Sequence, residues 1–176
     1  MATTPPLHGP VPLEKSYEVA GFDCGATQLN DYLQKHAWHN QQNRSARTYV
    51  VLRGPQVVGY YSLAAGSVQH EEATARVAKG LARHPIPVVL LARLAVDQTE
   101  KRKGLGAALL KDALFRSLQA ADIIGCRAVL VHAKDQAAQD FYRKFGFESS
   151  PIDEFHLYLL MKDIKLAPPA KQDPST

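Results

Sequence analysis

Apolar and polar positions along the chain mark out a sheet interleaved with helices. A dense, β-branched run from Val88 to Val96 reads as a buried strand. A charged turn, Asp97 to Lys103, follows it. Apolar residues then recur at Leu105, Leu109, Leu110, Ala113, Leu114 and Leu118, the spacing of a helix with one face to bury. Upstream, Thr27 to about Gln42 carries Leu29, Tyr32, Leu33, His36 and Ala37 on one helical face. Arg47–Leu52 and Gln56–Val68 are β-rich runs around Arg53-Gly54-Pro55, which predicts a hairpin. Gly59 inside the second run predicts a bulge or a close backbone approach. Lys15–Val19 predicts a first strand, and His70–Ala82 a short helix ended by His84-Pro85-Ile86-Pro87. Arg127–His132 is a further short strand, Asp135–Phe145 a second amphipathic helix and Glu154–Met161 a closing strand. Strand, helix and strand from Val88 to His132 make a parallel crossover unit.

A chain of 176 residues, 45% of them hydrophobic, suits one domain with a full core. Residues 1–13, with Pro5, Pro6, Pro10 and Pro12, are expected to form a flexible N-terminal segment. The domain then spans 14–165, and 166–176 forms a flexible C-terminal tail. The net charge of +4 permits a polyanionic partner without demanding one. Two cysteines, Cys24 and Cys126, make no disulfide framework, and His36 and His39 lack the companions of a metal site. No signal peptide opens the sequence, and no apolar run approaches the about 20 residues that cross a bilayer. A reduced, cytoplasmic protein without a membrane role is expected.

The junction between the Val88 strand and the following helix is where chemistry enters. The first amides of a helix have no internal partner and sit at the positive end of its dipole. Gly104 and Gly106 remove Cβ atoms that would hold a phosphate away, and Lys101, Arg102 and Lys103 add positive charge. The spacing is not a dinucleotide fingerprint, which needs a third glycine at Leu109, nor a Walker A loop, which needs Gly-Lys-Ser/Thr. It resembles the pyrophosphate loop of the GNAT N-acetyltransferase superfamily, Arg/Gln-x-x-Gly-x-Gly/Ala. Here that is Lys101, Arg102, Lys103, Gly104, Leu105 and Gly106, with lysine at the first position. A second motif of that superfamily, Ala-x-x-x-Tyr-x-x-x-Gly-Phe, falls on Ala138, Tyr142, Gly146 and Phe147, with Asp135 where asparagine is common.

The resemblance implies a single α/β (α+β) GNAT domain: a mixed central sheet flanked by helices, its parallel strands splayed at an acetyl-CoA site. It implies acetyl-CoA as co-substrate and N-acetyltransferase activity. Leu94, Ala95 and Val96 would pair with the pantetheine arm. Lys101, Arg102, Lys103, Gly104, Leu105, Gly106 and Ala107 would hold the pyrophosphate, and Asp135, Ala138 and Phe141 would line the rest of the cofactor site. Tyr142 would be the general acid. A phenol with a reference pKa near 10 protonates a departing thiolate of similar basicity without being ionised at pH 7. No compelling general base stands out, since Asp97 and Glu100 read as well as solvated turn residues.

Gly21-Phe22-Asp23-Cys24-Gly25 with Leu29-Asn30 and Leu33, then Val58 to Leu63, then Arg93 to Asp97, are similar to the acetyltransferase toxins of type II toxin–antitoxin modules, over roughly Val19 to Lys162. That resemblance implies acetylation of the amino acid on aminoacyl-tRNA, a block of translation and a homodimer. It also implies a ribbon-helix-helix antitoxin, with operator DNA reached only through that antitoxin. An ester-linked α-amine suits the weak base set, because it titrates below the about 7.7–8.0 of an ordinary α-amine and far below lysine at about 10.4. Candidate tRNA contacts are Lys35, Arg44, Arg47, Arg76, Lys79, Arg83 and Arg93. The alternatives are an acetyltransferase for a small amine, a peptide N-terminus or a protein lysine, and a CoA-binding regulatory module of low turnover.

Overall fold

A computed structural model describes residues 3–165, and the C-terminal tail expected at 166–176 lies outside the described residues. A seven-stranded mixed sheet forms the centre. In chain order its strands are β1 (Leu7–Pro12), β2 (Arg47–Arg53), β3 (Gln56–Val68), β4 (Ile86–Val96), β5 (Ala128–His132), β6 (Glu148–Ser149) and β7 (His156–Leu160). The order across the sheet is β1-β2-β3-β4-β5-β7-β6, with β4 and β5 parallel and every other pair antiparallel. The helices are α1 (Thr27–Asp31), α2 (Ala37–Gln42), α3 (Ala75–Ala78), α4 (Leu105–Ile123) and α5 (Gln136–Arg143). The expected architecture, a mixed sheet flanked by helices, is the observed one.

Several local expectations change. The flexible segment expected over 1–13 is corrected: from Leu7 it is an edge strand on β2. Proline suits that place, because an edge strand has outward amides that need no partner. Gly9, at φ +116°, makes the bulge between His8 and Val11, where a Cβ would meet the Val50 carbonyl oxygen at 2.6 Å. Lys15–Val19 is not a full strand, only a turn with a single bridge from Glu18 to Gln56. The helix expected over Thr27–Gln42 is interrupted by a π turn, Tyr32–His36, between α1 and α2. Only four residues of His70–Ala82 are helical. Thr74 caps them by accepting the Val77 amide at 3.2 Å, and Gly80 at φ +77° ends the turn. Gly59 borders the expected bulge: Val51 stands opposite it and Leu52 opposite Val57, so Val58 is the extra residue. Gly59 is also a close approach, since a Cβ there would lie 3.2 Å from both Leu105 and Leu109 of α4.

Strand alternation sorts the core onto two faces. Under α4 and α5 lie Val51, Val58, Tyr61, Leu91, Val129, Val131, Leu157 and Leu159. On the opposite face, Val50, Leu52, Val57, Tyr60 and Ala95 pack under α1, the π turn and α2. Val68, Val88, Leu130 and Tyr158 pack near α3 on that same face. The adjacent, fully buried tyrosines of β3 serve both sides: Tyr60 donates to the Leu29 carbonyl of α1 and Tyr61 to Asp112 of α4.

Candidate active site

The site begins where the sheet comes apart. β4 pairs with β5 only from Val88 to Leu91, although it stays paired with β3 as far as Val96. Leu63 stands opposite Leu91 and Ser62 opposite Arg93, so Ala92 is an extra residue. Such a bulge adds local twist and turns the strand. Beyond it, Leu94, Ala95 and Val96 face a gap on their β5 side. Their backbone is free there to pair with an extended ligand as if with another strand.

The turn after β4 is held by buried carboxylates. Asp97, 7% exposed, accepts the Thr99 amide at 2.9 Å and its hydroxyl at 2.8 Å, and its other oxygen accepts the Asp23 amide at 2.9 Å. Glu100, 4% exposed, pairs with Arg53 and lies 3.7 Å from Lys103. The Arg53 hydrogen bond outweighs burial and holds the Glu100 carboxyl below its ordinary range. These two acids are therefore structural, not the solvated turn residues that the sequence also permits.

The basic run has divided duties. The Lys101 ammonium donates to the Cys24 carbonyl at 2.6 Å and so straps the turn to the 21–25 loop. Lys103 leans on Glu100. Arg102, at φ +63°, is exposed. Gly104, at φ +83°, opens α4 without a side-chain cap, which leaves the amides of Leu105, Gly106 and Ala107 at the helix start. A Cβ on Gly106 would lie 3.8 Å from Val96 and 4.0 Å from Phe141, so the end of β4, the start of α4 and α5 meet at this glycine.

Tyr142 and its neighbours come from α5. Asp135 caps that helix by accepting the Ala138 amide at 2.8 Å, so its carboxylate faces its own backbone. Ala138 and Phe141 pack on the α4-face core. The Tyr142 ring is held edge-on between Phe141 and Phe147, with centroids 5.2 and 5.5 Å away. Among the described residues its hydroxyl has no hydrogen-bond partner, and no sealed side-chain oxygen there is left unpartnered, so the oxygen lies at an opening. Burial pushes the phenol well above its ordinary pKa, which keeps it protonated at neutral pH.

The basic candidates do not share one surface. Arg93 emerges on the face opposite α4, its guanidinium 4.7 Å from the centre of the Tyr32 ring. Lys35, in the same π turn, is paired with Asp31 at 3.3 Å. Arg44 is exposed between α2 and β2 and Arg47 at the start of β2, where alternation puts it on the α4 side. Lys79 and Arg83 are exposed beside α3, whereas Arg76 is engaged by Asp163 at 2.7 Å and Glu148 at 3.4 Å. Arg76 also borders a pocket of about 560 Å³ that Lys111, Lys144 and Lys165 make cationic. Sequence reading missed this pocket, as it missed a stacked pair, His132 and His156, in a groove on the face opposite α4. Period-2 alternation puts each histidine on that face, but only the register of β5 on β7 brings them together.

Residues 44–149 match the family described as acetyltransferase (GNAT) domain. The chain is 49% identical, over 148 residues, to a tRNA-acetylating toxin of Mycobacterium tuberculosis (strain ATCC 25618 / H37Rv); the match covers 84% of this chain and 89% of that protein. Among solved structures it resembles AtaT complexed with acetyl-methionyl-tRNAfMet, with a TM-score of 0.79 and 28% identity, over 85% of this chain and 91% of that one. It also resembles a mutant AtaT toxin bound to the C-terminus of the antitoxin AtaR and acetyl-CoA, with a TM-score of 0.74 and 28% identity, over 89% and 93% of the two chains.

Proposed function

The chain belongs to the GNAT acetyltransferase family and is an N-acetyltransferase that draws on acetyl-CoA, and from that premise we propose that its acceptor is the amino group of an amino acid esterified to tRNA. Blocking that amine stops the amino acid from entering a peptide bond, so the protein acts as a translation-arresting toxin in the cytoplasm. One observation carries the reading at the level of chemistry: the freed end of β4, the start of α4 and Phe141, the neighbour of Tyr142 on α5, meet at Gly106. The likeness to tRNA-acetylating toxins supports the choice of acceptor.

In this reading the backbone of Leu94–Val96 pairs with the pantetheine arm and donates to the thioester oxygen. The amides of Leu105, Gly106 and Ala107, with Arg102, receive the pyrophosphate, while Gly104 supplies the turn. Lys101, Lys103 and Asp135 shape this site rather than contact the ligand. The Tyr142 phenol donates its proton to the departing thiolate sulfur. Arg93, with Lys79, Arg83 and Lys35, attracts the acceptor end of the tRNA, and Arg44 and Arg47 serve more distant phosphates. Arg76, already paired with two acids, has the smallest part.

The partner of such a toxin is a ribbon-helix-helix antitoxin that binds it and alone touches operator DNA. Phe115, Ile123 and Ile124, exposed on and just after α4, favour a homodimer. Radiolabelled acetyl-CoA offered to charged and uncharged tRNA tests the acceptor. Label should enter charged tRNA alone. Label that enters free amines, peptide termini or lysines while charged tRNA stays blank would refute the reading.

A further inference from the structure

On the face opposite α4 and α5, a groove of about 360 Å³ lies over the paired stretch of β4 and β5 and ends at His132, where the two strands part. Val88 and Leu90 of β4 and Leu130 of β5 form its apolar floor. His132 is the last residue of β5 and follows Val131, where pairing with β4 stops. Its ring stacks on that of His156, its cross-strand partner on β7, with centroids 4.0 Å apart and planes 15° off parallel. The His156 Nε2 lies 3.4 Å from an Asp153 carboxylate oxygen. Glu72, from the loop after β3, and Tyr158 of β7 are the other titratable groups lining the groove, while Gly66, Ser67 and Val68 of β3 add none.

We propose that His132 is the general base of the reaction, the group that takes the amine proton at the acceptor-side mouth of the opening. The assignment rests on the function proposed above. It follows from placement: Tyr142 belongs to the α4-face core, whereas His132 stands on the other face at the same parting of the strands. A carbonyl held in that gap meets its nucleophile from one side and loses its leaving group on the other. As the amine nitrogen bonds to the acetyl carbon, its proton passes to the His132 imidazole. As the carbon–sulfur bond breaks, the Tyr142 proton passes to sulfur, and exchange with water resets both residues.

The surroundings keep His132 fit for this role. Burial, then repulsion from His156, lowers its pKa below the ordinary 6.5, against an opposing pull from Asp153. A lowered pKa leaves the ring neutral at pH 7. The rate should therefore fall on the acid side as His132 takes up a proton, below about pH 6.5.

The test is the pH profile of acetyl transfer from labelled acetyl-CoA to total charged tRNA, with the full chain. His132→Gln should lower kcat/KM by about 10²-fold or more at neutral pH. Its remaining rate should follow the titration of the amine alone, so that the additional fall below about pH 6.5 disappears, and added imidazole should restore part of the loss. His156→Phe keeps a stacked ring but removes the repulsion, and should move that additional fall up in pH. Calorimetry with acetyl-CoA checks that each variant is folded. If the wild type labels charged tRNA and neither variant alters the acid limb, the base assignment is overturned while the function stands. A wild type that labels no charged tRNA overturns both.

Discussion

The two mouths of the β4–β5 opening are built from different materials. On the α4 side the proposed working parts are mostly backbone: the freed edge of Leu94–Val96 and the bare amides after Gly104, joined by one phenol locked by packing. On the other side the proposed parts are side chains on separate elements: Arg93 over Tyr32, His132 on His156, and the exposed cations near α3. Backbone groups fixed by strand and helix suit a ligand that never varies. Side chains can be exchanged singly, which suits the side that chooses the acceptor.

The largest effect separating the two sides is expected from Tyr142→Phe. The ring and its contacts with Phe141 and Phe147 remain, so acetyl-CoA should bind as before by calorimetry while turnover falls by about 10²–10⁴. Near-normal turnover would move the acid elsewhere. Gly106→Val comes next. A first Cβ fits at ordinary contact distance, so the fold should persist, but the larger side chain crowds Val96, Phe141 and the phosphate path. Acetyl-CoA affinity should drop about tenfold or more, some 1.4 kcal/mol. Unchanged affinity would take the helix start out of the cofactor site.

Charge removal on the acceptor side should show the opposite pattern. Lys79→Ala with Arg83→Ala should leave acetyl-CoA affinity alone and flatten the log–log salt slope for charged tRNA by up to about 1.4, at roughly 0.7 per lost contact on single-stranded RNA. Arg93→Ala should lower acetylation at saturating acetyl-CoA. Wild-type behaviour of all three from low to physiological salt would place the RNA elsewhere. The smallest effect is that of Asp135→Ala, which loses a helix cap worth about 1 kcal/mol. A lowered melting temperature with unaltered acetyl-CoA affinity is expected; a large affinity loss instead would return Asp135 to the cofactor site.

The same contrast explains what was legible in the sequence. The α4 side is local in the chain: one strand, one turn and one helix between Val88 and Ile123, then Ala138 to Phe147. Hydrophobic period and glycine spacing suffice for such a unit. The other mouth joins residues from the π turn, β4, β5, the β6–β7 loop and β7. His132 and His156 are 24 positions apart, and only strand register brings them face to face. Alternation also hid the strand at Leu7–Pro12, because its prolines suit an edge as well as a loose end. The structural contact of Lys101 was hidden for another reason: its charge fits a phosphate loop, and only the folded turn brings its ammonium to the Cys24 carbonyl.

That strap, with the Asp97 carboxylate on the Asp23 amide, makes the cofactor turn and the loop leading into α1 one mechanical piece. The evolutionary consequence is a division between what drifts freely and what does not. A groove residue such as Ile152 lies off that piece and can change to suit a new acceptor without disturbing the donor site. Residues 21–25 cannot, since a shift there pulls on the turn that presents Gly104. Diversification among such proteins should therefore concentrate in the groove walls, and Asp23-Cys24-Gly25 should stay fixed while acceptor preference changes around it.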